Sequence, residues 1–310
     1  MNKDMPNRLN DAFFGKRPDV EFRVWGFHFD KRPCDLSFLP HMPNVQRFSA
    51  DCLDHATGIE HIAALPNLQK LGLGIRDLES FSVLDHISSS LTDLSLTATK
   101  SKRPHIEHLR RFRNLRRLYL EGQSNGIEAI SDLPRLEDLT LRSITVDTLG
   151  FVRHLKHLWS LDIKLGGTAN LSALRGMTCL KYLELWQIRG LKDISVISSL
   201  VGLQYLFLQS LPHITQLPNM SRLEALRRVH LDNMKGLKNL DALRTAPAIE
   251  DVLVIAANGK EPSQFQGVLG SPTLKEIVMG FGSKKKNDAF AALARAAGKR
   301  EHSRADFKFA

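Results

Sequence analysis

The sequence predicts an α/β solenoid, a stack of similar coils that each place one short strand in a parallel sheet and one tight turn or short helix opposite it. Two observations predict it. A phrase of apolar, two variable, apolar, one variable and apolar residues recurs eleven times, starting at Val45, Leu68, Leu91, Leu115, Leu136, Leu158, Leu180, Leu203, Leu226, Ile249 and Leu274. The starts lie 23, 23, 24, 21, 22, 22, 23, 23, 23 and 25 residues apart, a period typical of stacked repeats. One such unit cannot bury its own leucines, so neighbouring units must share a continuous core.

The elements follow in order. Within each phrase the alternation has the period of two that marks a strand. Beyond it, apolar residues come every three or four positions, as at Ile188, Leu191, Ile194, Ile197 and Leu200. That spacing suits a short helix, a 3₁₀ turn or irregular coil. Terminal coils need caps. Val20 to Phe29 reads as an N-terminal capping strand, with Phe22, Val24 and Gly26 on one face and Arg23, Trp25 and Phe27 on the other. Residues 1–19 read as loose or as a short helix. Asn287 to Gly298 reads as a C-terminal capping helix: Asn287 or Asp288 caps its start, Gly298 ends it, and Phe290, Leu293 and Ala297 face the last coil. Gly280-Phe281-Gly282-Ser283-Lys284 reads as the turn into it, since a phosphate loop needs other spacing. Residues 299–310 read as a mobile basic tail. The expected division is therefore 1–44 for the N-terminal segment, 45–283 for the solenoid and 284–310 for the capping helix and tail.

Leu180-Lys181-Tyr182-Leu183-Glu184-Leu185 and Leu203-Gln204-Tyr205-Leu206-Phe207-Leu208 resemble the LxxLxL core of leucine-rich repeats. Gly190-Leu191-Lys192-Asp193-Ile194-Ser195-Val196-Ile197 is similar to the bacterial internalin-type, short-repeat subclass. The resemblance covers Val45 to Met279. It implies a right-handed horseshoe of about eleven repeats, with a concave parallel sheet and a convex side of short helices, 3₁₀ turns and coil. One departure is plain. The asparagine expected just after the core is mostly missing: the chain reads Gly-Ile-Arg-Asp after Leu73 and Trp-Gln-Ile-Arg after Leu185. Other polar side chains or water are then expected to satisfy the turn backbone.

Composition narrows the function classes. No apolar run of about 18 residues suggests a membrane span, and Met1 to Arg8 lacks a secretory apolar stretch. Cys34, Cys52 and Cys179 are scattered without metal or redox spacing, so reduced thiols and a cytoplasmic setting are expected; the resemblance to the internalin type implies a bacterial one. Cys179 is expected in the packing beside a core leucine.

The net charge is +10, from 43 basic and 33 acidic residues. Its placement matters more than its size. Phrase positions 3, 5 and 7 should point away from the core. They carry Arg47, Lys70, Arg117, Arg142, Lys164 and Arg228 against Asp51, Asp93, Glu121, Asp138, Asp162, Glu184, Asp232, Asp251 and Glu276. The expected sheet face is thus slightly acidic. The excess sits in two segments: Lys100 to Arg117, with eight basic residues and one acid, and Lys284 to Ala310, with eight and three. In the first, Ile106, Leu109 and Phe112 form an apolar stripe, so the cations should cover the outside of a short helix.

Three neighbouring coils place Tyr182, Glu184, Trp186, then Tyr205, Phe207, Gln209, then Arg228, His230 and Asp232 at the outward positions. Strands about 4.8 Å apart would make these nine one patch. Aromatic residues and arginine dominate interface energetics, so the patch is the candidate protein-binding site. The same rings also suit stacking along a ladder, which stabilises a sheet. A smaller candidate comprises Arg117, Tyr119, Glu121, Arg142 and Lys164, with Trp159 near the rim. The pairs His105/His108 and His154/His157 lack further ligands, so no metal or cofactor is expected. No nucleophile motif appears. His230 with Asp232 could be an acid–base pair, but suits an interface better. The expectation is a non-enzymatic module that binds a folded protein on its concave face, a form that suits an inhibitor or immunity-type protein. A nucleic-acid-binding solenoid using segments 100–117 and 284–310 is the alternative.

Overall fold

The computed structural model describes residues 4–26, 33–53, 55–101, 104–303 and 305–310. Phe27 to Phe29 of the expected capping strand, Lys102 and Arg103 of the first basic segment and Arg304 of the tail lie outside them. The chain divides into two compact units, Met1–Ile144 and Thr145–Ala310.

The first unit opens with helix α1 (Met5–Leu9) and a π-helical turn (Asn10–Phe14). Strand β1 (Phe22–Gly26) follows, then β2 (Cys34–Asp35), β3 (Arg47–Cys52), β4 (Ala56–Thr57), β5 (Lys70–Ile75), β6 (Asp93–Leu96), β7 (Arg117–Glu121) and β8 (Asp138–Arg142). β1, β3, β5, β6, β7 and β8 pair in parallel in that order, while β2 pairs only with β4. Phe14, Phe22, Phe38 and Phe48 pack ring against ring under β1 and close the first coil. Cys34 and Cys52, scattered in sequence, are neighbours here: burial first, and the adjacent Cys34 second, push the Cys52 thiol up.

The second unit contains β9 (Ser160–Lys164), β10 (Tyr182–Trp186), β11 (Tyr205–Gln209), β12 (Arg228–Asp232), β13 (Asp251–Ile255) and β14 (Glu276–Met279), paired in parallel in chain order. Every one of the eleven repeat strands starts at phrase position 3. Pairing never slips: Tyr182 faces Tyr205, and Tyr205 faces Arg228. Positions 1, 4 and 6 point inward and are buried, as with Leu203, Leu206 and Leu208 at 0% exposure. Burying a leucine contributes about 1.5–3 kcal/mol, and a coil supplies three such sites before its turn residues are added. The returns between strands are mostly 3₁₀ turns, such as Glu107–Arg111 and Ser195–Ser199. Cys179 is only half-buried, with its sulfur 3.7 Å from the Leu155 carbonyl oxygen.

The missing asparagine is replaced partly by polar side chains, with Gln123 Nε2 donating to Thr97 O at 3.0 Å and Thr168 Oγ1 accepting from Val146 N at 3.1 Å, and partly by backbone. Gly122, Ser143, Leu165, Gln187, Ser210, Asn233 and Ala256 all occupy phrase position 8, and all have positive φ, between 50° and 83°. At five of these corners, Gly122, Leu165, Gln187, Ser210 and Asn233, the N–H donates to a carbonyl of the next coil. Leu165 N donates to Trp186 O, Gln187 N to Gln209 O and Ser210 N to Asp232 O, each at 2.9 Å. Each non-glycine corner carries a conformational cost.

Helix α2 (Lys284–Ala296) begins three residues before the expected cap. Ser283 stands at the N-cap without a side-chain bond, and Asn287 instead accepts from Phe281 N at 2.7 Å. Phe290 and Ala294 face the last coil at 1% and 4% exposure, while Leu293 and Ala297 point outward. The helix pitch explains the change: four residues return closer to one face than three do.

Candidate functional site

The strands bring the nine predicted residues together as three rows of three. Tyr182, Tyr205 and Arg228 form the position-3 row, Glu184, Phe207 and His230 the position-5 row, and Trp186, Gln209 and Asp232 the position-7 row. We call this outward side of the strands the ladder face. Phe207 and His230 stack at 4.3 Å with 17° between their planes, and Tyr182 meets Tyr205 edge-on at 5.2 Å.

The tail changes the reading of this face. Residues expected to be mobile instead run across the strands along phrase positions 2 and 3, from β14 back to β9. Arg300 bridges to Glu276, and Ser303 N donates to Glu276 Oε2 at 3.0 Å. His302 Nδ1 lies 2.8 Å from Asp251 Oδ1. Arg228 donates to Ala305 O at 3.1 Å and Arg227 to Lys308 O at 2.5 Å. Gln204 takes Ala310 with both ends of its amide: Oε1 accepts from Ala310 N at 2.8 Å and Nε2 donates to Ala310 O at 3.3 Å. Lys181 also donates to Ala310 O. Phe307 rests on Tyr205 at 5.3 Å, beneath the guanidinium groups of Arg227 and Arg228 at 4.7 and 5.2 Å. Phe309 sits against Trp159 at 5.2 Å and Tyr182 at 6.2 Å.

The predicted patch is thus divided. Its position-3 row lies under the chain's own tail, while no tail contact among the described residues reaches Phe207, Gln209 or Asp232. Sequence reasoning missed Lys181, Gln204 and Arg227, which sit at the variable position 2, and missed the two tail phenylalanines. The available signal was Phe307-Lys308-Phe309, two large apolar rings in an otherwise polar end.

Charges on the face are largely matched. Lys164 Nζ lies 3.1 Å from Asp162 and 3.3 Å from Glu184. Burial opposes the Lys164 charge, but these two carboxylates outweigh it and raise its pKa. Tyr182 donates to Glu184 Oε2 at 2.8 Å, and burial, then the Glu184 and Asp162 charges, raise the phenol. Arg228 Nε lies 2.6 Å from Asp251 Oδ2, an ion pair whose angle is poor for a hydrogen bond. Burial, with His302 and Arg228 adding to it, lowers the His230 pKa to about 4. Asp232 accepts from Gln209 Nε2 at 2.9 Å, and burial raises its pKa. His230 and Asp232 therefore engage different partners. Asp251, Glu276 and His302 offer ligand-type atoms within 4.8 Å of one another, but Arg228 and Arg300 already balance the two carboxylates.

In the first unit, β7 carries Arg117, Tyr119 and Glu121, and β8 carries Arg142. Arg117 pairs with Asp93. Tyr119 donates to Glu121 Oε2 and Arg142 to Glu121 Oε1, both at 3.2 Å. Burial, then the Glu121 charge, pushes the Tyr119 phenol up to about 12. Lys164, the fifth residue of the smaller candidate site, belongs to the second unit. In the first basic segment Arg110 pairs with Asp132, Arg116 with Glu137 at 3.1 Å, and His108 lies 2.8 Å from Asp85.

The fold is that of known solenoids. The leucine-rich-repeat protein LIC12759 of Leptospira interrogans superposes with a TM-score of 0.54 at 18% identity, covering 86% of this chain and 81% of that one. A TLR13–ssRNA13 complex matches with a TM-score of 0.57 at 17% identity, over 78% of this chain and 37% of that one. An internalin, InlF of Listeria monocytogenes, matches at 0.45 and 16%, over 80% and 83%. The chain is a leucine-rich-repeat solenoid. No protein-family model matches it, and no curated protein matches its sequence. No helix among the described residues is long and apolar enough to cross a membrane.

Proposed function

We propose that this leucine-rich-repeat chain is a non-enzymatic interaction module that holds a folded protein partner on the ladder face. The observation that carries this reading is the part of the patch that no tail contact reaches: Phe207, stacked on His230, with Gln209 and Asp232, and with Ile255 next to them at 42% exposure. Aromatic rings ringed by polar groups have the make-up of an interface centre. His230 is held neutral against a ring, which suits packing better than proton transfer.

Part of the cationic charge of the basic segments is already engaged within the chain. Phosphate recognition needs cations available to displace counterions. Here Arg110, Arg116, Arg117, Lys286 and Arg300 each face an acid of their own chain. A stoichiometric inhibitor or immunity-type role in the cytoplasm agrees with such a module, and the three free cysteines suit a reducing compartment.

The test is capture of a single stoichiometric protein partner by the full chain. Trp186→Ala and Phe207→Ala should each weaken capture about tenfold or more with the circular dichroism spectrum unchanged. Undiminished capture by both variants would reject the site. Retention on nucleic acid that falls steeply with salt would favour the alternative.

A further inference from the structure

The tail contacts have an uneven chemistry. Gln204, Arg227, Arg228 and Lys181 all make their hydrogen bonds to tail main-chain atoms. Upstream, His302 and Arg300 are held through their side chains by Asp251 and Glu276; over residues 305–310 the side-chain contacts are two ring sites, one formed by Tyr205 with Arg227 and Arg228, the other by Trp159 with Tyr182. Lys308, between the two rings, is exposed. Over β9 to β12 such a surface reads an extended backbone and the spacing of two aromatic residues.

The tail is also lodged on the face rather than built into the core. Phe309 keeps 37% of its surface exposed, and residues 305, 306, 308 and 310 are exposed as well. Core phenylalanines such as Phe48 and Phe112 show 0%. A segment held this way is an occupant that a better competitor can replace.

We propose that the rim formed by phrase positions 2 and 3 of β9 to β12 is a groove for an extended segment of a partner protein with aromatic residues two apart, and that Phe307-Lys308-Phe309 fills it in cis. This rests on reading the ladder face as a binding surface, and it adds the chemistry of one part of the partner. The two ring sites set the aromatic spacing. Gln204 fixes the register through its paired bonds, and Arg227 and Lys181 grip carbonyl oxygens without regard to sequence. A partner engages fully only after displacing the tail, so the tail sets a threshold on affinity.

The experiment uses the full chain and three peptides: residues 302–310, the same peptide with both phenylalanines changed to alanine, and a permuted form with the phenylalanines adjacent. The chain variant Phe307→Ala/Phe309→Ala vacates both ring sites. It should bind the 302–310 peptide one to one, with Trp159 fluorescence changing on binding and thermal stability rising as peptide is added. The wild-type chain should bind it at least tenfold more weakly, because the tethered tail competes at an effective concentration of about 1 mM. Both altered peptides should bind the variant at least tenfold more weakly than 302–310. If the double variant unfolds, Phe309→Ala alone provides the same comparison. Equal affinity of wild type and variant, equal affinity for both phenylalanine spacings, or no binding by the folded variant at about 1 mM peptide would overturn the proposal. Dimers of wild-type chain formed by exchanged tails would also overturn it, by giving the groove to a second copy. None of these readings involves Trp186 or Phe207, so they separate failure of the groove from failure of the wider interface.

Discussion

Replacing Arg228 with methionine offers the sharpest energetic test of the occupied rim. Arg228 and Asp251 have side chains only 14% and 9% exposed, with 2.6 Å between Nε and Oδ2. Two unit charges about 4 Å apart interact by about 4 kcal/mol at an effective dielectric constant of about 20. Removing one partner of a buried pair costs about 3–5 kcal/mol, because the other charge is left behind. His302 still faces Asp251 at 2.8 Å, so the lower part of that range is expected, about 3 kcal/mol. Arg228→Met also loses the bond to Ala305 O and the contact with the Phe307 ring. Those losses occur equally in Arg228→Met/Asp251→Asn and cancel in a double-mutant cycle. The double variant leaves no orphaned carboxylate and should recover about 2 kcal/mol of the summed single costs. The assay is urea unfolding of the four proteins followed by far-ultraviolet circular dichroism. A single-variant cost below about 1 kcal/mol, or additive single costs, would show that the pair does not act as a buried ion pair.

Three further outcomes are expected. Leu206→Ala, at a fully buried site between Leu183 and Val229, should cost about 2–5 kcal/mol in the same assay; a loss below about 1 kcal/mol would mean that the coils do not share a packed core. Gln187→Gly, at an exposed corner with φ 50°, should stabilise the chain by about 0.5–1 kcal/mol, since relief of a left-handed residue outweighs the added chain entropy; a loss of stability would contradict the corner geometry. Between pH 6.5 and about 4 the unfolded chain protonates His230 while the fold resists it, so acidification through that window should favour unfolding, with no contribution from this group above it. His230→Phe should unfold with a weaker acid dependence across the window; a dependence as steep as that of wild type would exclude His230 as the source.

The strands were legible in the sequence because the hydrophobic demand repeats without drift. Positions 1, 4 and 6 must be apolar in every coil, and the pairing register follows from that alone. The corners were hidden. Position 8 holds Gly122, Ser143, Leu165, Gln187, Ser210, Asn233 and Ala256, residues with nothing in common but a positive φ. At Gly122, Leu165, Gln187, Ser210 and Asn233 a backbone bond to the next coil meets the need, so side-chain identity carries little signal. Helix α2 was misread at its start because Lys284, Lys285 and Lys286 oppose the favourable charge at a helix N-terminus. Lys286 is instead held by Glu261 at 2.7 Å and by the Lys260 carbonyl at 3.0 Å. The three-by-three arrangement of the patch was legible for the same reason as the strands. Its occupant was not, since main-chain recognition by Gln204 and Arg227 leaves no pattern in the segment that is held.

A thread that crosses a stack at right angles couples layers that otherwise touch only their immediate neighbours. In the second unit the C-terminal segment is pinned at Glu276, Asp251, Arg228, Gln204 and Tyr182, one anchor on each of five successive layers. Pulled from its end, such a stack would resist fraying layer by layer until the thread let go, then open as a block. Hydrogen exchange should accordingly report one shared opening rate for β10 to β14 while the thread is seated, and a graded series of rates once it has been lifted away.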